Sequence, residues 1–379
     1  MAECIVKING TRYEGWKTVQ VARTVEACSG AFQIEFTDSW SGSKSPWGIN
    51  PQNEIEIILD GNPVINGYVD SLEGRIAAQE RLFTAKGRDK TGDLVDCSAK
   101  LSPSEFKSVS LETLARTLIS PFSISLKTFV LTLGGRKALA ERFKAWRIEP
   151  GESVWETLER ASRFRGLLMI PDGRGGLVIT EPASGISAEM LVEGENIETG
   201  SFENDASKRF STYTVLGQDS REDEDFGDGF RHNIKGTATD AGISRTRPLI
   251  VVAEGKVSTA LAKSRAQWEA TVRAARAVKV NITVPGWSQY TKQLWEINSL
   301  VSVQATRLLG CSGSFLISEA TYRLGPEGSF TDLTLLRPDA FQPVPQIPKR
   351  KVDQSSVGWE WKGTAPKVGD LLEGVISGN

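Results

Sequence analysis

Apolar and polar residues alternate with period two through most of the first hundred positions. Cys4, Val6 and Ile8 lead into Asn9-Gly10, a pair suited to a two-residue hairpin, and the pattern resumes from Arg12 to Trp16. Ile55, Ile57 and Leu59 run into Asp60-Gly61-Asn62-Pro63, Val64 to Val69 returns, and Arg81 to Ala85 forms a further strand. Short strands joined by glycine-containing turns predict a meander closed into a small barrel or sandwich. Gly87 offers a sharp turn after Ala85. The passage that follows, with Leu94, Val95 and Cys97 as its apolar face, opens a short helix. Arg88 and Asp89 are placed to pair with each other or with backbone groups, and Asp89, Lys90 and Asp93 have the spacing of neighbours on one helical face.

The period then changes. Ser110 can cap a helix whose Leu111, Leu114, Ala115 and Leu118 face one way, and Pro121 stops it. Ser153 followed by Glu156 is a capping box, and Val154, Trp155, Leu158 and Ala161 form the buried stripe behind it. Arg160, Arg163 and Arg165 suit the negative end of that helix. Gly166 releases the chain into Leu167 to Ile170 and a glycine-rich hairpin, Asp172 to Gly176.

From about Ser201 the pattern is β again, at Phe210 to Leu216, Leu249 to Val252, Val278 to Val284 and Leu300 to Val303. A last hairpin joins Ser314–Leu324 to Phe330–Leu336 around Gly325-Pro326-Glu327-Gly328. One long helix interrupts the strands, from a Ser258 cap to about Ala277, with Leu261, Arg265, Trp268, Val272 and Ala275 aligned and Lys263, Arg273 and Arg276 wet. The predicted class is α+β and β-rich: two small antiparallel β-barrel domains, residues 1–98 and 201–341, around an α/β insert at 99–200. Both edges of the insert are open to revision, because the chain could rejoin the first barrel after about residue 185. Residues 342–379 shift to a Pro- and Lys-rich linker and tail, in which Trp359 and Trp361 could anchor a partner.

At 379 residues the chain exceeds what one core usually serves. Hydrophobic residues at 39% and charged residues at 24% are ordinary globular usage, so the body of the chain is not a disordered one. Lys and Arg number 45 against 47 Asp and Glu, with no long basic block, which argues against a dedicated DNA-binding protein. No apolar run approaches the length of a bilayer span, and MAECIVKING lacks the basic start and apolar run of a signal peptide.

No catalytic, cofactor-binding or metal-ligating residue is assigned. Cys4, Cys28, Cys97 and Cys311 are widely spaced, form no C-x-x-C pair and read as small buried hydrophobes made in a reducing compartment. His232, the only histidine, lies in GDGFRHNIKG without a nucleophile elbow, so neither a Ser-His-Asp nor a Cys-His arrangement is supported. One histidine and scattered cysteines do not make a zinc site. The acidic run from Glu222 to Asp228 lacks the ligand spacing of an EF-hand and reads as a solvated loop. GRGG, Gly173 to Gly176, lacks the Gly-Lys-Ser/Thr of a phosphate loop, and no paired carboxylates of a glycosidase stand out.

GRDKTGDLVDCSA, Gly87 to Ala99, resembles the baseplate hub protein of Mu-like contractile-tailed phages. So do GTRYEGW from Gly10, INGYVDS from Ile65, GESVWETLERASRFRGLLM from Gly151, KGTATDAGISRTRPLIVVAEG from Lys235 and LISEATYRLGPEGSFTDLTLLRPDAF from Leu316, in matching order from Ile5 to Phe341. The resemblance implies a structural virion protein without an active site or cofactor: a ring-forming homotrimer joining tail tube to central spike. Implied partners are its own copies, the spike, the tube or a tube initiator, and further the tape-measure protein and baseplate wedge, with DNA only in transit and no membrane span. A related tailocin or type VI-like injection hub, and a tail-associated peptidoglycan hydrolase, are the alternatives.

Overall fold

The computed structural model describes residues 3–37, 48–77, 80–100, 104–185, 189–218, 234–289, 293–307 and 310–345. Chain segments divide by contact into residues 1–346 and 347–379, and every described residue belongs to the first.

The N-terminal alternation becomes seven strands: β1 (Cys4–Ile8), β2 (Thr11–Tyr13), β3 (Thr18–Thr24), β4 (Ala31–Phe36), β5 (Glu54–Leu59), β6 (Asn62–Ala77) and β7 (Glu80–Asp89). Asn9 and Gly10 both take positive φ, 48° and 79°, as the β1/β2 hairpin requires. Val6, Ile8, Val19, Val21, Ile34, Ile55, Ile57 and Leu59 face one core, each worth about 1.5–3 kcal/mol of apolar burial.

Gly87 departs from the sequence expectation. β7 continues through it to Asp89, and no turn occurs there. Its missing side chain instead lets strands approach: a Cβ at Gly87 would stand 2.0 Å from the Tyr68 carbonyl oxygen and 2.6 Å from Phe32 Cζ.

The insert runs through α1 (Gly92–Asp96), β8 (Glu105–Ser110), α2 (Leu111–Ile119), β9 (Leu126–Phe129), α3 (Leu133–Ala140), β10 (Arg142–Arg147), α4 (Val154–Arg165), β11 (Leu168–Pro171) and β12 (Leu177–Thr180). Ser110 Oγ accepts from Thr113 N at 3.2 Å, and Pro121 lies in the 3-10 turn that follows α2. At α4 the capping box is closed in both directions, Glu156 N to Ser153 Oγ at 3.1 Å and Ser153 N to Glu156 Oε2 at 2.7 Å. Gly166, at φ 67°, ends the helix. β8 pairs with β10, while β12 sits between β11 and a parallel β9. Leu111, Leu114, Leu158, Ala161, Leu177 and Ile179 lie at the centre of the insert's own core.

The remaining elements are β13 (Glu189–Val192), β14 (Thr199–Asn204), β15 (Thr212–Gln218), β16 (Ile234–Thr239), β17 (Pro248–Lys256), α5 (Thr259–Arg276), β18 (Val278–Pro285), β19 (Leu300–Ala305), β20 (Cys311–Gly325) and β21 (Gly328–Leu336). Ser258 caps α5 on Leu261 N at 3.2 Å. Leu261, Val272 and Ala275 are buried along it, but Arg265 and Trp268 are half-buried, Arg265 stacking on the indole. α5 covers a separate sheet in which β15 lies between an antiparallel β16 and a parallel β17; Tyr213, Val215, Ile234, Ala262 and Ala266 are its core.

The other C-terminal strands do not make a sheet of their own. Thirteen strands join in the order β14-β18-β21-β20-β3-β4-β7-β6-β5-β1-β2, with β19 on β20 and β13 parallel to β19. β20 pairs with β3 from Glu319–Thr24 to Leu324–Val19, fusing the first and last β stretches into one sheet and one hydrophobic cluster. After the insert, the chain enters this sheet at β13 beside β19, not beside any of β1 to β7.

Candidate functional site: the buried polar seam and the free sheet edges

β3 reads inward at Val19 and Val21, and the next inward position is Arg23. An arginine there has to find partners in the interior. It is 3% exposed; Nη1 donates to Glu296 Oε2 at 2.7 Å and Nη2 to the Pro171 carbonyl at 3.0 Å, so one guanidinium ties β3 to the insert hairpin and to the C-terminal stretch. Burial alone would weaken its hold on the proton, but Glu296, Tyr322 and Asp89 carry its pKa above the ordinary value.

Asp89 occupies the same kind of inward position, two residues beyond Gly87, and is 2% exposed. Its Oδ1 accepts from Asn66 N at 3.2 Å, while Oδ2 is buried without a hydrogen-bond partner. Burial pushes the carboxyl up to about 7, against the opposing pull of the Asn66 N–H and Arg23. Arg88 turns the other way, to Asp70 at 2.8 Å and Asp96 at 2.6 Å; of the two pairings open in the sequence, Asp89 takes the backbone one.

The glycine-rich Asp172–Gly176 loop docks here. Asp172 Oδ1 accepts from Arg174 N and Gly176 N, each at 2.8 Å, and Oδ2 receives Lys127 Nζ at 2.7 Å. Burial would lift the Asp172 carboxyl, but these donors bring it below its usual range. A Cβ at Gly173, already at φ 70°, would lie 3.0 Å from the Val64 carbonyl oxygen and 3.2 Å from Arg23 Cζ. Tyr322, on β20, completes the seam by donating to the Trp295 carbonyl at 2.6 Å. This constellation is a fastener: it neutralises buried charge across three parts of the chain and presents no nucleophile beside a base. Sequence reading passed over it, although Arg23 on the inward parity of an apolar strand was a visible signal.

The residues weighed for chemistry are not brought together. Cys4, Cys28, Cys97 and Cys311 are free thiols; burial pushes Cys4 up to about 12 and raises Cys28 and Cys311, while Cys97 is exposed. Among the described residues, no three His, Cys, Asp or Glu side chains form a metal-holding group, and no helix is long and apolar enough to cross a membrane. His232, the Glu222–Asp228 run, Trp359 and Trp361 lie outside the described residues.

Among the described residues, three strands of the thirteen-stranded sheet have one partner each: β14 and β2 at the ends of the main path and β13 at the end of the β20-β19 branch. All six residues of β14 are exposed, including Phe202, which pairs with the buried Val280 on the core side.

These features define a β-rich structural protein without a catalytic constellation among its described residues, and the comparisons are specific. Family profiles match consecutive stretches: "Mu phage baseplate assembly protein GpP-like, N-terminal" at 3–89, "Baseplate hub protein gp44-like, second domain" at 91–181, "Tail protein NMB1110-like, third domain" at 209–268 and "Mu phage baseplate assembly protein GpP, fourth domain" at 258–344. The baseplate hub protein gp44 of Escherichia phage Mu is 32% identical over 349 residues, covering 91% of this chain and 90% of that one. The chain therefore belongs to the Mu-like phage baseplate hub family, a structural component of the virion tail.

Solved structures agree. The 43 kDa tail protein of prophage MuSo2 from Shewanella oneidensis matches at TM-score 0.77 and 31% identity, over 90% of this chain and 99% of that one. The tail protein from Neisseria meningitidis MC58 matches at TM-score 0.73 and 23% identity, over 89% and 99%. A component of the Escherichia coli type VI secretion system shares the fold at TM-score 0.52 and 10% identity, over 90% of this chain and 80% of that one.

Proposed function

We propose that this hub protein acts as a homotrimeric ring joining the tail tube to the central spike, and that the ring forms part of the conduit for the genome. The observation that carries the reading is the sheet fused through β3 and β20, which among the described residues leaves β14, β2 and β13 with one strand partner each. Head-to-tail contacts between unlike edges form a ring when the rotation between copies closes, and an obligate ring needs large interfaces that are apolar at their centres. Two barrel-like units per chain, from the first and last β stretches, would give a trimer six similar units to meet a six-fold tube and a three-fold spike. The profile matches support a division near residue 90 and a further one within 181–209. A tube initiator, the tape-measure protein and the baseplate wedge are the remaining partners; assembly takes place in the host cytoplasm, and DNA passes without being gripped by a basic surface.

Light scattering across a dilution series tests this. The expected result is a particle of three times the 41.4 kDa chain mass, persisting to low concentration. A monomer that stays monomeric even when mixed with the spike protein overturns the ring. The protein performs no catalysis in this role, and clearing of a peptidoglycan zymogram by the purified chain would overturn that part.

A further inference from the structure

We propose that the free edge of β9 in the insert is a strand-docking site for an extended partner segment whose side chains alternate between apolar and acidic. This goes beyond the hub reading and does not rest on it. Among the described residues β9 ends its three-stranded sheet, bonded only to the parallel β12, so one row of its backbone groups is open. Leu126 points into the insert core; alternation places Thr128 and Val130 on that same side, where they line an open cavity of about 410 Å³. Lys127, Phe129 and Leu131 fall on the opposite side. Phe129 and Leu131 are 62% and 64% exposed, and Leu133, which opens α3, is 85% exposed.

The charge on the cavity side identifies what it accepts. Arg136 and Arg142 line it, and both are exposed. Their hydrogen bonds go to carbonyls, Arg136 Nε to Val130 O at 3.3 Å and Arg142 Nη1 to Ser108 O at 3.0 Å, and Arg136 also feels the Glu181 carboxylate, which is itself held by Thr132 and the Leu131 N–H. Glu112, the acidic residue in the lining, is engaged by Arg116 at 2.8 Å. A strand added beside β9 would send alternate side chains to the two faces: carboxylates toward the two guanidiniums, apolar groups over Phe129 and Leu131. Backbone pairing supplies affinity in this mode and the alternating pockets supply selectivity.

The test uses the full-length protein and two labelled peptides, Val-Glu-Val-Glu-Val and Val-Lys-Val-Lys-Val, followed by fluorescence anisotropy and by hydrogen exchange at β9. The acidic peptide should bind at least about tenfold more tightly, a difference of about 1.4 kcal/mol, and should slow exchange of the β9 amides. The Arg136→Glu, Arg142→Glu double variant should reverse the preference, and Phe129→Ser should weaken both peptides, with the melting temperature unchanged because these side chains are exposed. Equal binding of the two peptides, no binding of the acidic one, or indifference to the double variant overturns the proposal. A change in oligomeric mass in the double variant also overturns it, since the occupant is then a second copy of this chain.

Discussion

The insert core and the thirteen-stranded sheet are built from opposite kinds of neighbour. In the insert, residues between Leu94 and Ile179 supply nearly all of the core, with Cys28 as a distant contributor, and α2, α3 and α4 each carry a side-chain N-cap. In the sheet, Thr24 pairs with Glu319 and Arg23 bonds Glu296, so the last β stretch has to return before the first is complete. Loop-closure entropy is spent before such pairings form. The insert is therefore the region expected to order locally, and the sheet the region where a single defect is felt at both ends of the chain.

Substituting Gly87 strikes the sheet hardest. Gly87→Ala places a methyl group against the Tyr68 carbonyl and the Phe32 ring, and should cost about 3 kcal/mol or more. Urea unfolding should show the loss, and hydrogen exchange should show it in β20 and β21 as well as in β6 and β7. If protection falls only in the N-terminal strands, the fused sheet does not behave as one unit.

Arg23→Ala is next, at about 2–3 kcal/mol, because it leaves the Pro171 carbonyl without its donor and Glu296 without its cation. The same variant should loosen the Asp172–Gly176 hairpin, which limited proteolysis would detect as a new cut there. An unchanged hairpin would separate the insert from the seam.

Asp89 turns the comparison into a pH dependence. Its folded-state pKa of about 7 lies above the ordinary carboxylate value, so the native protein holds a proton that the unfolded chain gives up. The contribution is complete at acid pH and is lost as pH rises from about 4 through about 7. Asp89→Asn removes the loss: relative to the parent it should gain on the order of 4 kcal/mol at pH 8 and little at pH 4. Parallel stability curves for the two proteins would contradict the buried, half-satisfied carboxyl.

The smallest effect is local. Ser153→Ala opens the capping box of α4 and should cost about 1 kcal/mol, confined in hydrogen exchange to the insert. A matching loss in β3 or β20 would mean the insert core is less self-contained than its contacts indicate.

Much of the insert was readable in advance because its signals act over three or four residues. Ser153 and Glu156, Gly166, and the Leu111–Leu118 stripe each fix a local geometry whatever surrounds them. Gly87 was misread for the complementary reason: glycine permits both a turn and a close approach, and only the positions of Tyr68 and Phe32 choose between them. Spacing aligns Arg265 and Trp268 with Leu261, Val272 and Ala275 along α5, yet the indole lies half-buried, its Nε1 donating to the Gln342 carbonyl at 2.8 Å. The periodicity was right, and the width of the covered face was a matter of what packs there.

The sequence by itself determined the β-rich class, the capped helices α2, α4 and α5, the hairpins β1/β2, β5/β6 and β20/β21, and membership of the hub family through motifs in matching order. These depend on backbone preferences and side-chain period, which are properties of short stretches. Tertiary structure alone decided that β3 lies beside β20, that Arg23, Asp89 and Glu296 meet in one seam, and which strands are left as open edges. Pairing between distant strands depends on which closed arrangement buries the most apolar face and neutralises the most buried charge, and that sum is taken over the whole chain.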